Sequence, residues 1–226
     1  KDIHYPRTAL VCLENTHNRC GGTVLTADYT DEVCHLAHTH ALKVHLDGAR
    51  IFNAAIALGV PVPELTQNVD SVAVCLSKGL SAPVGSLLSG PRDFVERARK
   101  FRKMLGGGMR QVGVIAAAGI VALETMVDRL AEDHANARRL AQGLANMKDI
   151  TLAQDEIPTN IVMFHISPEL STEDFVRSLN KAGVKVGLRD GRPFRAVTNR
   201  MVSSSDIDEA VARIEAVCRR LRAARK

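Results

Sequence analysis

Ser71-Val72-Ala73-Val74-Cys75-Leu76-Ser77-Lys78-Gly79-Leu80-Ser81-Ala82-Pro83-Val84-Gly85-Ser86 opens as an apolar run of strand length and ends in a turn rich in glycine, proline and serine. The run is short and shows no polar alternation, as expected of a strand buried on both faces of a sheet. Upstream, Val44-His45-Leu46 leads into Asp47-Gly48-Ala49-Arg50 and then the helical stretch 51–58, and a further aliphatic run covers Ala9-Leu10-Val11-Cys12-Leu13. Strand, helix and strand in this rhythm predict an α/β fold with a mostly parallel sheet between helices. Ligands of such sheets collect at the carboxyl ends of the strands. Asp47 and Lys78 fall at two of those ends, one crossover apart, so they are expected on the same edge.

Downstream the pattern changes. A helical stretch over about 127–147 keeps Leu130, Ala137, Leu140, Ala141 and Leu144 mostly on one face. It is followed by an expected strand over 160–166, a helix over 172–182 ended by Gly183, and strands at 184–186 and 194–197. The closing helix is expected to start with a capping box of Ser205 and Asp208 and to bury Ile207, Val211, Ile214, Cys218 and Leu221. These elements predict a partial large α/β domain over 1–126, then a linker helix and a small C-terminal α+β domain over 127–226.

The 226 residues are 46% hydrophobic and 4% aromatic, enough for a sizeable aliphatic core. Part of the net charge of +5 sits in the basic tail 219–226, so a nucleic-acid face is not expected. Five scattered cysteines without C-x-x-C spacing read as reduced thiols in an intracellular compartment, expected to be the cytoplasm with the mitochondrion as the alternative. No apolar run is long enough to span a membrane. The opening residues lack signal-peptide character, and a start at Lys1 leads us to expect further sequence, and any targeting segment, before it.

Four segments carry candidate chemistry. Lys78, placed between a buried strand and Gly79, is expected to hold its amine desolvated and nucleophilic, with Gly79 leaving room for a cofactor. Taken alone, a lysine at a strand end is usually a solvated surface residue. Asp47 could supply the anion that keeps a pyridine nitrogen protonated, or it could cap the next helix with Arg50 in its first turn. In Arg102-Lys103-Met104-Leu105-Gly106-Gly107-Gly108-Met109-Arg110, three glycine amides with Lys103 and Arg110 could approach an anion, or form a plain inter-helix loop. His17, in Leu13-Glu14-Asn15-Thr16-His17-Asn18, could stack on a ring or relay a proton, or belong to a turn. His35, His38 and His40 cluster, but only the first two share a helical face and no acidic or cysteine partner stands out, so no metal is expected.

The four segments in this order resemble the low-specificity L-threonine aldolases, also described as L-allo-threonine aldolases, which are fold-type I enzymes dependent on pyridoxal 5'-phosphate (PLP). The resemblance runs from about Leu10 to the region of Arg195. It implies a PLP-dependent aldehyde-lyase that cleaves L-threonine or L-allo-threonine to glycine and acetaldehyde. By it, Lys78 is the lysine that binds PLP covalently, Asp47 pairs with the pyridine nitrogen, and Arg50 and Arg195 grip the substrate carboxylate. His17 would lie near the cofactor and substrate and handle the β-hydroxyl proton. Lys103 and Arg110 would approach the pocket, from a neighbouring subunit in a homodimer or homotetramer. In the family the cup for the PLP phosphate precedes the matched region. Another fold-type I PLP lyase or transferase, or an inactive fragment serving as an oligomerisation module, are the alternatives.

Overall fold

The computed structural model of the chain describes residues 3–188 and 193–224. They form two compact units, one comprising residues 3–17 and 24–130, the other 18–23, 131–188 and 193–224.

The first unit is built on a four-stranded sheet in the order β1 (Leu10–Glu14), β2 (Lys43–Asp47), β3 (Ser71–Cys75) and β4 (Ser86–Ser89). β1, β2 and β3 run parallel, with Glu14 opposite Asp47 and Asp47 opposite Ala73, whereas β4 returns antiparallel to β3. Five helices accompany the sheet: α1 (Ala27–Thr39), α2 (Ile51–Leu58), α3 (Val62–Thr66), α4 (Arg92–Met104) and α5 (Gly113–Thr125). The mostly parallel α/β architecture expected from the strand rhythm is therefore present. Leu46, Ile51, Ala54 and Leu65 form one apolar cluster. Leu76, Leu80, Ala82, Ala122 and Leu130 form another, directly under the turn that carries Lys78. Asp70, just before β3, pins β2 and α1 together: it accepts from the Val44 amide at 2.8 Å and from Lys43 Nζ at 2.7 Å, and its other contact is His38 Nε2 at 2.9 Å.

The second unit holds α6 (Leu130–Ala145), β5 (Ile150–Leu152), β6 (Ile161–Ile166), α7 (Thr172–Lys181), β7 (Phe194–Val197) and α8 (Ser204–Ala223). Its three strands form an antiparallel sheet in the order β5-β6-β7. Leu144, Phe164, Phe175, Phe194 and Ile214 fill its core. There the Phe164 and Phe194 rings stack at 5.4 Å and Phe175 meets Phe194 edge-on at 5.3 Å.

Two local expectations are corrected. Residues 184–186 form no strand; among the described residues the segment pairs with β7 through the isolated bridge of Gly187 with Arg195. Its start is drawn back to the end of α7, since the Val184 amide donates to the Leu179 carbonyl. The capping box of α8 uses Ser203 and Asp206, not Ser205 and Asp208. Asp208 instead grips Arg139 through two hydrogen bonds of 2.5 and 2.7 Å, a claim on its carboxylate that the local sequence could not reveal.

Candidate active site

Parallel pairing in register brings the carboxyl ends of β1, β2 and β3 to one edge of the first unit's sheet. Asp47 is the last residue of β2, Lys78 follows the end of β3, and His17 follows the end of β1. The strand after which each residue comes thus decides its place. At this edge the Asn15 amide donates to the Asp47 carbonyl at 2.9 Å, fastening the segment after β1 to the end of β2. The Asn15 side chain then clamps the chain ten residues on, donating to the Leu25 carbonyl at 2.9 Å and accepting from its amide at 3.2 Å. Asn15 is fully buried, a role that nothing in its local sequence signals.

The carboxylate of Asp47 is exposed, and one oxygen accepts from the Ala49 amide at 3.0 Å. The helix start corrects the capping alternative: Arg50, not Asp47, is the N-cap residue of α2, and it makes no side-chain capping bond. Arg50 is half-buried beside it. The Nε2 of His17 lies 3.5 Å from Glu14, while its Nδ1 and the hydroxyl of Thr16 are buried and lack a hydrogen-bond partner. Buried polar atoms left unpaired are costly, so two of them at a strand-end edge mark a place suited to a polar ligand.

Lys78 is exposed, which corrects the expectation of a desolvated amine. The apolar cluster beneath the turn covers Leu76 and Leu80, and leaves the intervening Lys78 side chain toward solvent. Gly79 does not open space for a cofactor either. A Cβ there would stand 2.7 Å from Leu130 Cδ2, so the glycine makes room for the core.

The triple glycine is likewise a structural device. Gly106 has φ of +85°, and the amides of Gly106 and Gly107 donate back to the carbonyls of Lys103 and Arg102, closing the end of α4. Two of the three amides are thus spent on helix termination, and the expected anion cradle is not formed. Lys103 lies along Gly108, where a Cβ would come within 2.5 Å of its Cδ. Lys103 and Arg110 are exposed and make no hydrogen bond or ion pair to Asp47, Lys78 or His17. Of the three clustered histidines, His38 is engaged by Asp70.

In the second unit, β7 alternates: Phe194 and Ala196 are buried in the core, while Arg195 and Val197 are half-buried on the opposite face. Arg195 Nη1 donates to Asn18 Oδ1 at 2.5 Å.

Residues 1–167 match the model of the Beta-eliminating lyase family. The chain belongs to that family. Within it, the chain is 44% identical over 218 residues to a probable low-specificity L-threonine aldolase 2 of Arabidopsis thaliana, covering 96% of this chain and 61% of the relative. It is 49% identical over 168 residues to the low specificity L-threonine aldolase of Escherichia coli K12, covering 74% of this chain and 49% of the relative. The chain thus spans between about half and three fifths of the length of these family members. Among solved structures, a putative L-allo-threonine aldolase from Listeria monocytogenes aligns with a TM-score of 0.79 at 18% identity, covering 95% of this chain and 63% of that one. At that identity the likeness is one of fold, the α/β fold-type I architecture.

Proposed function

We propose that the chain carries the lysine, the ring-facing aspartate and the substrate-carboxylate arginines of a PLP-dependent aldehyde-lyase that cleaves L-threonine or L-allo-threonine to glycine and acetaldehyde. The observation that carries this reading is the convergence of Lys78, Asp47 and the unpartnered Thr16 and His17 atoms on one sheet edge. The likeness to threonine aldolases supports it.

The residues present fit PLP. Among the described residues, Asp47 keeps one carboxylate oxygen without a partner, available to a protonated pyridine nitrogen, and Lys78 has no ion-pair partner that would hold its amine back. When bound, PLP supplies an electron sink for the pair released as the bond between the α- and β-carbons breaks. Asp47 contributes the negative charge that keeps the ring nitrogen protonated. Arg50 and Arg195 fix the substrate carboxylate, and with it the orientation of the bond to be broken. His17, with Nδ1 as its unpartnered ring atom, takes the β-hydroxyl proton as the aldehyde departs. Lys103 and Arg110 approach the pocket of a neighbouring copy.

The exposure of Lys78 and Asp47 makes further covering protein part of this reading, because a carbanion must be shielded from water. A homo-oligomer, dimer or tetramer, supplies such cover. Its natural surface is α5, whose sequence is apolar on every side yet buries only Gly119 and Ala122. A cytoplasmic location accords with five free thiols and with the absence, among the described residues, of any helix long and apolar enough to cross a membrane.

Borohydride reduction of the PLP-treated chain followed by peptide mapping tests the core claim. A pyridoxyl adduct on Lys78, absent in Lys78→Ala, is expected; an adduct confined to other lysines would refute it. Acetaldehyde release from threonine, compared with turnover of serine and with decarboxylation, separates aldol cleavage from other fold-type I chemistry.

A further inference from the structure

Arg195 differs from its neighbours in how it is held. Elsewhere in the second unit, Arg139, Arg177, Arg213 and Arg222 each meet a carboxylate. The partner of Arg195 is the neutral side-chain oxygen of Asn18, and no carboxylate pairs with it among the described residues. A guanidinium fixed by a neutral acceptor keeps its full charge and its remaining donors for an incoming anion. A carboxylate in the same place would neutralise it.

Asn18 is itself fixed by the sheet. It begins the short 3-10 turn Asn18–Cys20, and the next two carbonyls are tied down: that of Gly21 accepts from Gln154 Nε2 at 3.0 Å and that of Gly22 from Thr159 Oγ1 at 2.9 Å. The same Gln154 amide accepts from the Met163 backbone at 2.9 Å, and Met163 stands opposite Arg195 in the β6–β7 ladder. Arg195 and Met163 face each other without hydrogen bonds of their own, since the Arg195 backbone pairs with Gly187 and that of Met163 with Ala153 and Gln154; Gln154 thus ties the strand beside Arg195 to the turn that carries Asn18. Glycine is favoured at both anchor points, where φ is +72° and +77°, and a Cβ there would come 2.4 Å from the Gln154 and Thr159 side chains and disturb these hydrogen bonds. Asn18, Met163 and Arg195 also line a cavity of about 120 Å³, room for a small carboxylate.

We propose that Asn18 is a positioning residue: it orients the Arg195 guanidinium without neutralising it, so that Arg195 can receive the carboxylate of an amino-acid substrate. This rests on the role given to Arg195 above, and the test separates the two. In arginine-selective NMR of the full chain, the two Nη nitrogens of wild-type Arg195 should be resolved by slow rotation, and acetate should shift the signal saturably. In Asn18→Ala the rotation becomes fast and the half-saturating acetate concentration rises roughly tenfold, the effect of losing one hydrogen bond to a charged group. In Asn18→Asp rotation stays slow while the acetate response is lost. In the PLP-loaded protein, Asn18→Ala should raise KM for threonine by the same factor with kcat nearly unchanged. Unaltered rotation and acetate affinity in Asn18→Ala would overturn the proposal. No acetate response of wild-type Arg195 would overturn the carboxylate role of Arg195 and this inference together, whatever adduct forms on Lys78.

Discussion

His134 is 3% exposed, and burial, with Arg138 nearby, pushes its imidazole down to about 4 from an ordinary value of 6.5. The folded state therefore binds fewer protons than the unfolded chain between those values. Its contribution is intact above pH 6.5 and is lost as pH falls toward 4, at most about 3 kcal/mol over the window. Urea midpoints at pH 7 and pH 4.5 should differ for the wild type and differ much less for His134→Gln; an equal drop in both would exclude His134 as the source. Gly79 is decided by the same close packing on a neutral scale. Gly79→Ala drives a methyl against fully buried Leu130 and should cost about 1–3 kcal/mol, with Leu130→Val in the same chain recovering part of it. No interaction between the two changes in a double-mutant cycle would show the contact to be irrelevant.

At the level of elements, ends and junctions matter more than interiors. α8 is started by Ser203, whose hydroxyl accepts from the Asp206 amide at 3.2 Å while the Asp206 carboxylate accepts from the Ser203 amide at 2.8 Å. Ser203→Ala should cost about 1 kcal/mol and Ser205→Ala much less, by chemical denaturation, and the reverse order would restore the cap first read from sequence. Asp70 joins α1 and β2 to the start of β3. Burial alone would raise its carboxyl, but hydrogen bonds from Lys43, His38 and the Val44 amide outweigh that and lower it to about 2. Its stabilising effect is present above the ordinary value of 3.8 and lost as pH falls toward 2, about 1–2 kcal/mol in all. Asp70→Asn should therefore be less stable than wild type at neutral pH and converge with it near pH 2.

At the scale of the whole molecule, the informative feature is apolar surface that the described residues leave uncovered. On α5, Val114 is 74% exposed, Val121 57% and Ile120 55%, and the segment just before it adds Leu105 at 87%. A helix apolar on all sides is ordinarily buried. With a second copy as its cover, sedimentation should show an oligomer for the wild type and smaller species for Ile120→Glu/Val121→Glu. A wild-type monomer across the accessible concentration range would refute self-association. The same substitutions should lower PLP retention if the neighbouring copy shields Lys78, and Leu36→Glu, on the exposed face of α1, serves as the surface control.

Local order in the sequence was sufficient for the parallel strands, because short apolar runs closed by glycine-rich turns must be buried between helices wherever they pack. That order also placed Asp47 and Lys78 at strand ends, and the resemblance of four ordered segments pointed to the chemistry. Which serine of Ser203-Ser204-Ser205 caps α8 could not be read locally, since two of the three have an acid three residues on; Arg139, far away in sequence, claims one of those acids. The exposure of Lys78, the packing of Gly79 on Leu130 and the conversion of the triple glycine into a helix end are likewise tertiary facts. So is the grip of Asn18 on Arg195 across 177 residues. Periodicity reports which way a side chain faces along its own element, and only the folded chain determines what stands opposite.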